Sequence, residues 1–183
     1  GFLMTAKECI LTRRSIRQFT DQPVEESVLR EIVETASFSP SWKNTQITRY
    51  VAITGELKDK IAAECTSLYS NNGVIMKNAP MVVAITAIKG RCGYERDGSF
   101  TTQKGASWQM FDAGIASQSF CLAAHELGLG TVIMGIFDDD KARELLSLPE
   151  DREMVAFIAL GYPNETPLAP KRKSVDDLLT IME

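Results

Sequence analysis

The chain is poor in the residues that most enzymes use for acid, base or nucleophilic work. It contains a single histidine, His125. No grouping of serine, histidine and aspartate, or of cysteine and histidine, argues for a nucleophile, and no P-loop is written anywhere, so classical hydrolase and kinase chemistry lack their parts. The four cysteines, Cys9, Cys65, Cys92 and Cys121, form no C-x-x-C pair, which excludes a zinc ribbon and a dithiol redox motif and fits reduced thiols in a cytoplasmic protein. His125 follows Cys121 by one helical turn, but two ligands do not make a metal site and the pair reads as ordinary helix packing. Long apolar runs are also missing. The most apolar stretch, Ala79 to Ile88, is interrupted by Pro80 and Thr86 and stops at Lys89, far short of the ~20 residues a membrane span requires. Basic excess is absent, since 20 Lys and Arg stand against 24 Asp and Glu for a net charge of −4, the wrong sign for a nucleic-acid binder that relies on bulk electrostatics. The opening Gly1-Phe2-Leu3-Met4 carries no basic region and no long apolar core, so it is read as a tag-derived or disordered start and not as a signal peptide. There are no repeats and no low-complexity segments.

What remains is an ordinary globular chain. At 183 residues, 44% hydrophobic and 24% charged, it is long enough to bury one full core and is expected to form a single domain, residues 1–183, with 164–183 as an extended C-terminal arm. Thr5-Ala6-Lys7-Glu8 is a capping box, predicting a helix to about Thr12. After Pro23, the spacing of Val28, Leu29, Ile32, Val33 and Ala36 predicts a second helix that Pro40 closes. Tyr50 to Thr54 reads as a strand, Leu57 to Tyr69 as a helix, and Met81 to Ile88 as a buried strand. Lys89 to Lys104 turns polar and glycine-rich, as binding loops do. A long central helix follows over Trp108 to Leu127, rich in Ala, Gly and Ser and capped by Gly128. Two strands, Thr131 to Met134 and Met154 to Leu160, flank a helix begun by Asp138, and a short helix lies near Val175.

Four clusters carry possible chemistry. In Arg13-Arg14-Ser15-Ile16-Arg17, an extended backbone would turn Arg13, Ser15 and Arg17 to one side, and guanidinium forks beside a hydroxyl suit a phosphate. The same run, taken by itself, also fits a solvated basic turn. In Ser39-Pro40-Ser41-Trp42-Lys43-Asn44-Thr45-Gln46, amides and hydroxyls gather where a helix ends; they match the edge of a planar heterocycle, or simple turn chemistry. Gly128-Leu129-Gly130 lacks the third glycine of a dinucleotide fingerprint, because Ile133 occupies it, and it follows a helix instead of opening one. Gly130 and Gly135 at the two ends of a strand suit a backbone passing close to a flat ligand. Lys171-Arg172-Lys173 is a second local basic cluster.

Taken in order, these pieces resemble the FMN-dependent nitroreductase family, over nearly the whole chain from Leu11 to about Leu178. The resemblance rests on R-R-S-I-R-Q-F at Arg13 to Phe19, S-P-S-W-K-N-T-Q at Ser39 to Gln46, D-A-G-I-A at Asp112 to Ala116, L-G-L-G-T at Leu127 to Thr131 and G-Y-P at Gly161 to Pro163. It implies a three-layer α+β fold, with a central mixed or antiparallel sheet flanked by helices, and an intertwined homodimer with FMN at the interface. Arg13 and Ser15 would then hold the phosphate and ribityl chain, Arg17 would lie near the N1/O2 edge, and Arg172 would assist at the phosphate. Pro40, Ser41 and Asn44 would come from the partner subunit, the Gly135 N–H would face flavin N5, and Asn72 would meet the pyrimidine edge. Arg14, Trp42, Gln46, Met134 and Lys173 complete the expected cofactor-binding set. Ile133 and Ile136 depart from residues frequent in the family and would reshape the space over the flavin.

The implied activity is a cytoplasmic oxidoreductase that passes electrons from NADH or NADPH through FMN to a nitroaromatic, quinone or similar acceptor in ping-pong fashion. Because the flavin carries the hydride, no protein acid or base is obligatory. A flavin-binding redox sensor or FMN carrier, and divergent family chemistry such as reductive dehalogenation, stand as alternatives. The 91–104 loop, with Tyr94, Arg96 and Phe100, is the candidate lid.

Overall fold

The computed structural model describes residues 3–66 and 70–183. Chain order runs α1 (Ala6–Thr12), α2 (Glu26–Ala36), a 3₁₀ turn (Trp42–Asn44), β1 (Thr48–Ile53), α3 (Gly55–Glu64), α4 (Asn72–Asn78), β2 (Met81–Ile88), α5 (Ser107–Glu126), β3 (Gly130–Met134), α6 (Asp139–Leu146), β4 (Arg152–Gly161) and α7 (Val175–Leu178). The capping box of α1 forms as its sequence requires, the Glu8 N–H donating to Thr5 Oγ1 and the Thr5 N–H to Glu8 Oε2. Two of the helix's orphan donors are thereby satisfied.

The four strands form one antiparallel sheet in the order β1-β2-β4-β3. β2 is buried along its whole length, as a central strand covered on both faces must be. Its side chains alternate accordingly. Val82 and Ala84, with Phe157 and Ala159 of β4, pack under α3, α4 and α6. Met81, Val83 and Ile85, with Ile158 and Leu160, pack under α2 and α5. The result is the three-layer α+β fold, helices on both sides of a sheet.

One predicted helix ends early, and a helix that was not predicted follows it. Leu57 to Tyr69 was expected as a single helix, but α3 ends at Glu64, Tyr69 lies outside the described residues, and α4 follows at Asn72–Asn78. Asn72 and Gly73 are weak helix formers by propensity, and tertiary docking overrides this. A Cβ on Gly73 would strike Thr66 Oγ1 and the Ala62 carbonyl, so only glycine lets α4 lie this close to α3. The buried Lys58 ammonium completes the joint, donating to the Met76 and Lys77 carbonyls at 3.0 and 2.8 Å and to Asp59 Oδ1 at 3.0 Å. Those carbonyls belong to the last turn of α4, where a cation also meets the negative end of the helix dipole.

The segment after α1 is fastened across the end of the sheet. Ser15 bridges Thr131 in parallel, the Ile16 N–H donates to the Thr131 carbonyl at 2.9 Å, and Phe19 bridges Pro163. Gly130 and Gly161 stand opposite each other in the β3–β4 register. A Cβ on Gly130 would fall 2.6 Å from Ile16 Cγ1, and one on Gly161 would fall 2.6 Å from Pro80 Cδ and 2.9 Å from Phe19 Cδ1. Gly130 therefore makes room for Ile16, not for a flat ligand as its sequence context suggested.

Candidate functional site

The docked segment carries its basic residues to a common place. Arg13, Arg14, Ser15 and Arg17 line a cavity of about 120 Å³ together with Arg172, which the proline-rich tail brings alongside. No acidic residue lines it. Of the second basic cluster, Arg172 alone reaches this cavity; Lys171 and Lys173 are exposed beside it and are not among its walls. Arg14 has a structural task as well, because its Nη1 donates to the Leu11 and Arg13 carbonyls at 3.0 and 2.8 Å and so closes the end of α1.

Glu165, which sequence reasoning missed, accepts the backbone N–H groups of Arg17 and Gln18 on one carboxylate oxygen at 2.7 and 2.9 Å. An acid in a proline-rich tail gives no local signal of such a role. Next to the same segment, His125 Nε2 lies 2.8 Å from Thr12 Oγ1. Burial, and then the positive charges of Arg13 and Arg14, hold this imidazole below its ordinary pKa. Cys121 is buried one turn away.

At the far end of β3 the picture is different. Met134 is buried, whereas Ile133, Gly135 and Ile136 are exposed at the surface. Gly135 has no positive φ, and a Cβ built on it would meet no atom of the described residues within 4 Å. Neither backbone conformation nor packing within the chain calls for glycine there, while close approach of an external planar group would. Asn72, expected at a ligand edge, donates from Nδ2 to the Ile136 carbonyl at 3.1 Å and so steadies the Ile136–Phe137 peptide, just past Gly135.

The second predicted cluster forms a tight turn. Ser41 accepts the Gln46 N–H on Oγ at 3.2 Å, Thr45 Oγ1 donates to the Trp42 carbonyl at 2.8 Å, and Lys43, Asn44 and Gln46 all take left-handed φ values of 46°, 54° and 51°. Three non-glycine residues so close together in that region are uncommon, and such strain gathers at functional sites. Pro40, Ser41 and Gln46 open on a largely apolar cavity of about 260 Å³ beside Tyr50, whose hydroxyl pKa burial pushes up to about 12. Trp42 and Lys43 open instead on a cleft of about 680 Å³ shared with Arg91, Tyr94 and Arg96 of the loop before α5. That loop is well built: Tyr94 pairs with Phe100 at 5.1 Å between ring centres, and Trp108 Nε1 donates to Thr102 Oγ1 at 2.8 Å.

The structure thus sorts the expected residues into groups. Arg13, Ser15, Arg17 and Arg172 converge; Asn72 bonds Ile136, next to Met134 and Gly135 in sequence; Pro40 to Lys43, Thr45 and Gln46 line other cavities and share none with those arginines, and Asn44 lines none of them. A second residue that the motif reading left without a role is Asp112 on α5. Its signal was an acid set among Ala113, Ala116 and Ser117 on the buried face of a helix, where a charge must have partners.

The nitroreductase family model matches residues 10–74 and 69–162. This chain belongs to the nitroreductase family. A Methanothermobacter thermautotrophicus protein provisionally named NADH dehydrogenase/NAD(P)H nitroreductase is 32% identical over 169 residues, 90% of this chain and 80% of that one. A nitroreductase family protein of Streptococcus pneumoniae shares the fold, with a TM-score of 0.85 at 20% identity over 97% of this chain and 100% of that one. A Desulfovibrio desulfuricans protein whose structure is in complex with FMN aligns with a TM-score of 0.78 at 27% identity, covering 100% of this chain and 99% of that one. Among the described residues no helix is long and apolar enough to cross a membrane.

Proposed function

We propose that this nitroreductase family member is a homodimeric, FMN-dependent oxidoreductase that draws electrons from NADH or NADPH and reduces a nitroaromatic, quinone or similar acceptor. The observation that carries the reading is the acid-free cavity into which Arg13, Arg14, Arg17 and Arg172 converge with Ser15. A dianionic phosphate is the group that guanidinium forks and a hydroxyl hold best, and charge-assisted bonds of this kind are the strong ones. The FMN complex of the Desulfovibrio desulfuricans relative and the NAD(P)H nitroreductase name of the Methanothermobacter thermautotrophicus relative support the cofactor and donor class.

When bound, FMN supplies hydride acceptance and delivery, so the protein's task is to bind, orient and stabilise charge. Arg13, Ser15 and Arg172 hold the phosphate end. Arg17, its backbone held by Glu165, offers a positive charge to the ring edge that gains electron density on reduction. The Gly135 N–H, just before the Ile136 carbonyl that Asn72 holds, would offer a donor to the redox-active edge. Ile133 and Ile136, both exposed, border the space over Gly135 and shape it for an apolar acceptor.

The second subunit is supported by α5. This helix carries apolar residues on every side, yet one chain covers only part of it and leaves Met110, Phe111 and Gly114 exposed. A helix of that kind is normally buried all round. The turn at Pro40 to Gln46 would then reach the partner's flavin, which accounts for its sharing no cavity with the arginines of its own chain. The single domain would end in an arm over residues 164–183, whose exposed Leu168, Leu178, Ile181 and Met182 seek a surface. Four buried, unbridged cysteines suit a reducing cytoplasm.

The test is a visible absorption spectrum of protein saturated with FMN and desalted, repeated anaerobically after adding NADH or NADPH. Retained flavin that bleaches with a nicotinamide donor is the expected result and identifies the donor. Flavin that resists both donors would leave a redox sensor or carrier, and loss of all flavin on desalting would refute the site.

A further inference from the structure

We propose that Asp112 is a positioning residue for the cofactor: from α5 it holds the Ser41–Gln46 turn in its left-handed form and ties that turn to the loop preceding α5. The proposal rests on the flavin reading above for the turn's purpose, and on the geometry below for the holding itself. Asp112 is 5% exposed, and its Oδ2 accepts the Trp42 N–H at 2.8 Å and the Cys92 thiol at 3.2 Å. One carboxylate oxygen therefore joins three pieces of chain: the turn, the helix and the start of the loop.

Trp108 lies one helical turn earlier on α5 and repeats the arrangement. Its ring meets that of Trp42 at 5.3 Å between centroids, and its Nε1 donates to Thr102 near the loop's other end. Two residues four apart on one face of α5 thus each grip both the turn and the loop. The grip matters because Lys43, Asn44 and Gln46 are held at positive φ, and non-glycine residues stay there only where their surroundings over-determine them. Asn tolerates that region; Lys and Gln do not choose it. The bonds within the turn itself, Gln46 N–H to Ser41 Oγ and Thr45 Oγ1 to the Trp42 carbonyl, bind it to itself and not to the rest of the molecule. Asp112 supplies the polar anchor and Trp108 the apolar one. The thiol of Cys92, pushed up to about 12 by burial and by its bond to Asp112, is protonated at neutral pH and so is a donor to Asp112 there.

Asp112→Ala and Asp112→Asn separate positioning from general support. Asparagine, with its carbonyl oxygen in the place of Oδ2, still accepts both the Trp42 N–H and the Cys92 thiol. Apo protein is titrated with FMN and followed by flavin fluorescence, with melting temperature and Trp emission recorded for each variant. The expected result is FMN Kd raised tenfold or more in D112A, with an altered Trp emission from the released Trp42–Trp108 pair, and Kd within threefold of wild type in D112N. An unchanged Kd in folded D112A would overturn the proposal, as would D112N and D112A weakening equally.

Amide exchange in the wild-type chain decides the holding without any variant. The Trp42 N–H should exchange at least a hundredfold more slowly than an unprotected amide, and free exchange would overturn the proposal even if D112A does not fold. Failure of the wild-type chain to bind FMN would sink the flavin reading, whereas FMN binding with a freely exchanging Trp42 amide would sink only the role of Asp112.

Discussion

Replacing Gly130 by alanine tests how the phosphate cradle is placed. Gly130 has no positive φ, so the added methyl is the whole perturbation. It would lie 2.6 Å from Ile16 Cγ1, 2.8 Å from Ile16 Cβ and 3.0 Å from Ile16 Cγ2. A rotamer change can move the two γ carbons but not Cβ, which is attached to the backbone. The Ser15–Ile16 segment must therefore lift from β3, stretching the Ile16 N–H bond to Thr131. Overpacking of this kind costs about 1–3 kcal/mol. For a chain of this length that corresponds to a fall in Tm of roughly 2–12 °C. Lifting the segment also withdraws Arg13, Ser15 and Arg17 from Arg172; loss of one charge-assisted bond to the phosphate, worth about 1.5–3 kcal/mol, weakens FMN by roughly tenfold to 150-fold. Calorimetry of the apo protein and fluorescence titration with FMN read the two effects. Ile16→Ala in the same chain removes both γ carbons, so the double variant should lose less than the sum of the singles. Gly135→Ala is the contrast: with no atom of the described residues within 4 Å of the new methyl, apo stability should hold while FMN binding falls. G130A with unchanged Tm and unchanged FMN affinity would refute the interlock, and G135A melting as low as G130A would refute the assignment of open space over Gly135.

The other tests are simpler. Arg172→Ala should raise FMN Kd tenfold or more, whereas Lys171→Ala and Lys173→Ala should stay within about threefold, since only Arg172 lines the cavity; equal losses in all three would show that general charge, not a shaped contact, holds the phosphate. All four cysteines are buried and unbridged, and burial raises the pKa of every one, Cys65 to about 11 and Cys92 to about 12. A thiol reagent at pH 8 should therefore leave the native chain unmodified over the time that labels four thiols in the unfolded chain. His125 has its folded-state pKa depressed by burial and by Arg13 and Arg14. Below about pH 6.5 the unfolded chain takes up a proton that the folded one resists, so stability is full above that pH and falls as pH drops from it toward the folded pKa. His125→Gln should flatten the Tm–pH profile in that window, and an unchanged slope would refute the cause.

The parts of the fold that were legible are those decided by neighbours in sequence. Thr5 to Glu8 carries its own cap. Met81 to Ile88 reads as a buried strand because every residue must face one apolar layer or the other. Asp138 begins α6 with its side chain accepting the Lys141 N–H, as an N-cap residue does. What escaped was decided across the chain. The docking of α4 on α3 depends on Gly73 fitting against Thr66 and on Lys58 reaching the Met76 and Lys77 carbonyls, and neither contact has a periodicity to announce it. The strand order β1-β2-β4-β3 likewise leaves no trace in any local pattern.

The site shows the same division more sharply. R-R-S-x-R and a solvated basic turn are the same residues, and only what meets them separates the two. Here the meeting is arranged by apolar contacts: Ile16 and Phe19 occupy the room that Gly130 and Gly161 leave at the end of the sheet, and the arginines between and before them are carried to the surface beside the tail. Glu165 then fixes Arg17 from the tail side, and Arg172 arrives on the same strand of chain. A cationic cavity costs self-repulsion, and that cost is met by hydrophobic docking elsewhere in the segment rather than by acids within the cavity, which leaves the guanidinium groups free for an anion. A basic run therefore becomes a binding site when a neighbouring apolar pair, and not a carboxylate, decides where it sits.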